Sequence, residues 1–374
     1  MHAQGAGNNR VPSAQNPPAQ LQSGQPRTFG KDPEEELQKG TDLTRRGAFA
    51  EAIPHLLAAR GRVANDYAAS FNLALCYVGD GEFAKAVPVL ADLRRDGHDN
   101  ADVNNLLAQA YVGDREEQKA FESLQRAASF TPTNEKLYMF VADACMASQN
   151  YALGLRVADL GLKNLQDSAG LHYERGMFLS LLDQLDVARH DFELARTLAP
   201  ESDMAYVAAV QEDMLEGKVV AAIRVAREGV SKGRQDFLLL TLLGDALLRS
   251  GIISGQPEFA EARTALEKSV EQRPNYAGSQ LALGKLYLLE DRAADAIMHL
   301  EVARHLSAAN PAVYSNLAAA YRKQGDREHE RDMLAILAQL NQNQAEKIRA
   351  APGDRKASYS GTSEGPETRE DPKR

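Results

Sequence analysis

The chain has 374 residues, 44% of them hydrophobic and 25% charged, with a net charge of −9. This composition suits a soluble globular protein. The acidic balance opposes nucleic-acid binding, which needs a basic face to neutralise phosphates. No run approaches the ~18 apolar residues of a membrane span, and Cys76 and Cys145 make no disulfide framework.

The start, "MHAQG", lacks the basic and apolar regions of a signal peptide but resembles the tail of a bacterial cleavage site. The chain therefore reads as cytoplasmic as it stands, and as exported if its N-terminus is trimmed or miscalled. Residues 1–33 hold Pro12, Pro17, Pro18, Pro26 and Pro33 among Gln, Asn, Gly and Ser. Such a segment buries too little apolar area to offset its ordering entropy, so disorder is expected.

Residues 34–341 repeat. Small residues recur every 34 positions at Gly40, Ala74, Ala108, Ala142 and Gly176. The series runs on through Val210, Gly244, Gly284 and Ala318, with six extra residues in the seventh unit near 250–257. A second series follows twelve residues behind: Ala52, Ala86, Ala120, Gly154, Ala188, Ala222, Ala262 and Ala296. Nine units thus share one register. Each reads as two antiparallel helices joined by a turn such as "GDGEF" (79–83) or "QGDRE" (324–328). Helices approach closely where side chains are small, which explains both series. Large residues such as Tyr77, Tyr111, Leu179 and Tyr287 fill the space beside each crossing. One hairpin cannot bury its apolar face alone; stacked hairpins can, which makes the fold an all-α solenoid. Residues 342–374 read as a helix extension followed by a disordered, charged tail.

The period, with Leu107, Ala108, Tyr111, Ala120, Leu124, Ala127 and Pro132 at fixed places, resembles the tetratricopeptide repeat. Leu283, Gly284, Tyr287, Ala296, Leu300 and Ala303 repeat the match. There are departures. The family's Trp is absent, with Tyr138, Tyr206 and Tyr314 at its place in three units. Pro54 and Pro88 fall inside second helices and should kink them or delay their starts. Asp213 stands where an aromatic or leucine belongs, so a polar partner or a shifted frame is expected. Glu330 replaces the small residue of the ninth unit, as in a solvated terminal repeat.

Catalytic motifs are missing. There is no Walker loop, G-x-G-x-x-G, C-x-x-C or H-E-x-x-H. His299 and His305 are six apart, on different faces of a helix. "GTSEG" (361–365) matches a nucleophile elbow without the strand and helix that motif needs. The chain therefore reads as a non-enzyme without cofactor or metal, acting through its surfaces.

The resemblance implies that first helices line a concave groove where a partner's peptide or helix binds. Its groove places hold Met139, Asp143 and Met146, then Tyr173 and Met177, then Met204, Val207, Gln211 and Met214. Flexible, polarisable methionine suits an adaptable apolar surface; the alternative is packing between neighbouring first helices. Further on, Arg249, Lys285, Arg322 and Lys323 form a basic strip suited to carboxylates. The family's chaperone-tail clamp is disfavoured by Leu37, Thr41, Phe71 and Leu75 at its places. Its Asn ladder is reduced to Asn72 and Asn316. In "YMFVADACMASQN" (138–150), Tyr138, Val141, Ala142 and Cys145 take inward places, with Cys145 a small buried hydrophobe.

The expected function is a non-catalytic interaction scaffold holding a protein or peptide partner. The alternative is a self-associating or envelope-assembly factor of an exported complex, using its convex face or ends.

Overall fold

The computed structural model describes residues 32–350. The expectations for residues 1–31 and for the tail with its "GTSEG" lie outside them. Helices pair in chain order: α1 (Pro33–Arg45) with α2 (Phe49–Ala59), α3 (Asp66–Gly79) with α4 (Phe83–Arg95), and α5 (Ala101–Gly113) with α6 (Glu117–Phe130). Next come α7 (Glu135–Ala147) with α8 (Tyr151–Asn164), α9 (Ala169–Leu181) with α10 (Leu185–Leu198), and α11 (Asp203–Leu215) with α12 (Val219–Ser231). The last pairs are α13 (Phe237–Arg249) with α14 (Pro257–Gln272), α15 (Ala277–Leu289) with α16 (Ala293–Leu306), and α17 (Pro311–Gln324) with α18 (Arg327–Ala350). The described residues contain no strand, and no helix among them is long and apolar enough to cross a membrane.

Pro33, grouped by composition with the N-terminal segment, opens α1 instead. Asp32 caps that helix by accepting from the Glu34 N–H. Proline in the first turn behind a capping aspartate is a helix-start signal that outweighs the bulk composition.

The turns set the register. Every hairpin places a left-handed residue seven positions after its small residue: Gly47, Gly81, Arg115, Gln149, Asp183, Gly217, Gly251, Asp291 and Gly325. At Arg115, Gln149, Asp183 and Asp291 a side chain tolerates that conformation at roughly 1–2 kcal/mol each. The second helix then starts two residues later, as at Phe49, Tyr151 and Arg327, except in the seventh hairpin, where α14 waits until Pro257. Helices α2 and α4 start at this same place, so Pro54 and Pro88 delay neither. Each proline lies just past the first turn, where only one backbone bond is forfeited.

The small residues mark the crossings. A Cβ on Gly40 would lie 2.6 Å from Leu56 Cγ, and one on Gly284 would lie 2.6 Å from Leu300 Cγ. On Gly176 it would lie 2.9 Å from Phe192 Cε1. Around these contacts buried apolar side chains form a core running the length of the array. Cys76 and Cys145 are free thiols within it. Burial pushes the Cys145 thiol up to about 12, which keeps it protonated and inert.

Where the family places Trp, several units instead hold polar pairs bridging the two helices of a hairpin. His55 Nδ1 lies 2.5 Å from Glu36 Oε2, His172 Nδ1 2.8 Å from Asp191 Oδ1, and His299 Nδ1 2.7 Å from Gln280 Oε1. Asp191 is fully buried and also accepts from Arg175 Nε at 2.8 Å and Nη2 at 2.7 Å. Among the described residues it is the most deeply buried carboxylate. Asp213 is only half-buried at the end of α11, with Lys218, Arg224 and Arg196 nearby. Glu330 is not solvated. It is 7% exposed, held by Arg322 at 2.5 Å and Arg327 at 2.8 Å. The two arginines cover it, and their hydrogen bonds, with their charge, hold its carboxyl below the ordinary value.

Curvature follows from unequal spacing. Each first helix touches the next first helix, from α1 and α3 through α15 and α17, whereas among second helices only α6 and α8 make comparable contact. The first helices therefore take the short-radius, concave side.

Candidate partner-binding groove

The groove places divide into three groups. Tyr173, Val207 and Met214 are 3%, 0% and 9% exposed and belong to the core. Their assignment to a partner surface is corrected: they pack into the core, Tyr173 with its ring 5.8 Å from that of Phe192 on α10. Met139, Met146, Met177 and Met204 are half-buried at the core's edge, and Gln211 is half-buried beside them. Neighbouring Phe140 is 47% exposed.

The basic strip is largely neutralised within the chain. Arg249 donates to Asp245 at 2.8 Å and Arg322 to Glu330 at 2.5 Å. Lys323 donates to Asp291 at 2.6 Å and to the Leu288 carbonyl at 3.2 Å. Lys285 is half-buried on α15. A partner carboxylate would have to displace internal acids from three of the four.

Asp143 is also taken, by a residue far away in sequence. Arg273, which caps α14, donates from Nη2 to Asp143 Oδ2 at 2.7 Å across 130 residues. Its guanidinium sits 4.8 Å from the Phe237 ring centre and 5.8 Å from that of Tyr276, and the two rings meet edge to face at 5.2 Å. Nearby, Ser307 Oγ donates to the Ala147 carbonyl at 3.2 Å, and Asn275 lies against Gly47. The connections after α14 and α16 therefore close onto the turn side of the first and fourth hairpins.

Closure brings Arg273 to an acidic pair. The Asp143 side chain keeps 41% of its surface open, so solvent reaches it. Burial there raises its carboxyl, against the pull of Arg273. Glu174, next to Tyr173 on α9, forms no hydrogen bond or ion pair among the described residues. Burial pushes its carboxyl from 4.5 up to about 8, with repulsion from Asp143 adding and Arg273 opposing. Asp236 is likewise raised by burial, as are the Tyr173 and Tyr276 hydroxyls. The folded chain therefore holds the Glu174 proton more tightly than the unfolded chain. That stabilising contribution is complete below pH 4.5 and is lost as pH rises through about 8. The urea midpoint is expected to fall between pH 5 and pH 9, and to fall less in Glu174→Gln; equal slopes would contradict the raised carboxyl.

Glu174, Arg273, Phe237 and Tyr276 were not legible as site residues. Arg273 precedes a closing proline, as Thr131 and Ala199 do in other units, and nothing local points to Asp143.

Residues 43–110 match the tetratricopeptide repeat family model. No curated protein matches the chain. Among solved structures, the chain is similar to a thermophilic tetratricopeptide protein of Thermus thermophilus, at 22% identity over 49% of this chain and 97% of that one, TM-score 0.40. A tetratricopeptide repeat protein of Parabacteroides merdae shares 18% identity over 78% of this chain and 99% of that one, TM-score 0.39. YrrB, described as having an unusual peptide-binding site, shares 16% identity over 52% of this chain and 96% of that one, TM-score 0.34. Likeness at these identities concerns the fold alone. Residues 43–110 thus match the tetratricopeptide repeat, the described hairpins continue in the same register, and such a fold serves generally as a scaffold for protein–protein interaction.

Proposed function

We propose that the protein is a non-catalytic scaffold that holds an extended or helical segment of a partner protein in its concave groove. The observation that carries this reading is the run of half-buried Met139, Met146, Met177 and Met204 on consecutive first helices, beside exposed Phe140. Unbranched thioethers at the core's edge repack around varied apolar side chains at little cost. A photo-crosslinking residue at Met177 should trap a partner in the native cell, whereas one at His190, exposed on α10, should not. Adducts formed from His190 alone would sink the groove reading.

A second reading rests on α18, which leaves Leu334 41% and Ile336 37% exposed at the end of the array. That helix face would serve self-association through the end of the solenoid. A monomer mass in solution at high protein concentration excludes it.

A further inference from the structure

In a solenoid each unit touches its neighbours, and contacts between distant units are exceptional. Here three such contacts converge: Arg273 on Asp143, Ser307 on the Ala147 carbonyl, and Asn275 against Gly47. The first is more than a rim contact, because Arg273 is received by a built set of groups. Asp143 supplies a charge-assisted bond, Phe237 and Tyr276 supply aromatic faces, and the Glu174 carboxyl lies near. Carboxylate with aromatic rings is the chemistry by which proteins hold guanidinium and ammonium groups.

We infer that this part of the groove is a receptor for a basic side chain of the partner segment, and that Arg273 is a tethered occupant which that side chain displaces. The inference rests on the groove reading and adds the partner's charge to it. With Arg273 withdrawn, the Asp143 carboxylate, the Glu174 carboxyl and two rings remain, a set that takes a cation and repels an anion. The occupant lies on a connection between helices rather than inside one, so it can leave without breaking a helical turn. Its ion pair is reached by water, with Asp143 and Arg273 side chains 41% and 40% exposed. A pair of that kind contributes little net stability, so exchanging one cation for another is close to balanced.

The probe is N-acetylarginine amide, with N-acetylglutamate amide as control, followed by saturation-transfer NMR on the full chain. Arg273→Ala is expected to bind the arginine probe at least tenfold more tightly than the wild type, and Arg273→Gln, which keeps a stem over Phe237, to behave alike. Adding Asp143→Asn to either variant should abolish the gain, and the glutamate probe should bind none of the proteins. Helical circular dichroism equal to wild type ensures that a folded array is being compared. No gain in either single variant, or a gain that survives Asp143→Asn, overturns the inference. Arginine binding without crosslinking at Met177 sinks the groove reading and leaves this site standing; crosslinking without arginine binding does the reverse.

Discussion

Asp191→Ala is expected to destabilise the array by about 3–5 kcal/mol, the usual loss when one partner of a buried ion pair is removed. The Asp191 carboxylate is 0% exposed and receives His172 Nδ1 at 2.8 Å and both Arg175 nitrogens at 2.7 and 2.8 Å. Without it, the Arg175 guanidinium and the His172 imidazole, both on α9, face α10 with the acceptor between the two helices gone. Arg175 can turn partly toward Asp159, whose Oδ1 lies 3.4 Å from its Nη1, which places the loss toward the lower end. Asp191→Asn keeps the shape and one acceptor oxygen and should lose less. Urea unfolding followed by circular dichroism measures both. A loss under about 1 kcal/mol for Asp191→Ala would mean that the pair behaves as a surface ion pair.

Phe178→Ala is expected to cost about 3–5 kcal/mol, the range for emptying a buried aromatic site. Phe178, on α9, is 0% exposed and packs onto Gly154 of α8 in the preceding hairpin, where a Cβ would run into its ring. The contact joins two units, and a solenoid's cooperativity resides in such interfaces. Unfolding should therefore broaden or split into two steps as the fourth and fifth hairpins uncouple. Gly154→Ala alone should destabilise by about 1–3 kcal/mol through overpacking. Combined with Phe178→Ala, its methyl enters the space the ring has left, so the double variant should lose less than the sum of the two. Strict additivity would show that Gly154 and Phe178 are not in contact in solution.

The tetratricopeptide fold was legible because its determinants lie within one or two units. Gly40, Gly176 and Gly284 recur in register, and each meets a leucine or phenylalanine of its own hairpin. Tyr138, Val141, Ala142 and Cys145 are buried where the lattice placed them. The groove was legible only in part. Tyr173, Val207 and Met214 turned inward, while Met139, Met146, Met177 and Met204 stayed at the edge. Successive helical places differ by ~100°, so one place separates the concave surface from the packing between first helices. Asp191 escaped notice because a charge in an amphipathic helix ordinarily points outward. Its clue was the lattice itself, since His55 and His299 pair with Glu36 and Gln280 at equivalent places in other units.

From sequence alone come the hairpins, their register, the small-residue crossings and the acidic, motif-poor character that directs function to surfaces. These are set by local preference and by contacts between adjacent helices. Only the tertiary structure decided that Arg273 meets Asp143, that Ser307 reaches Ala147, and that Glu174 lies near that pair. Those encounters depend on the rotation added at each stacked unit. No single unit encodes that sum, and it becomes fixed only when the whole coil has formed.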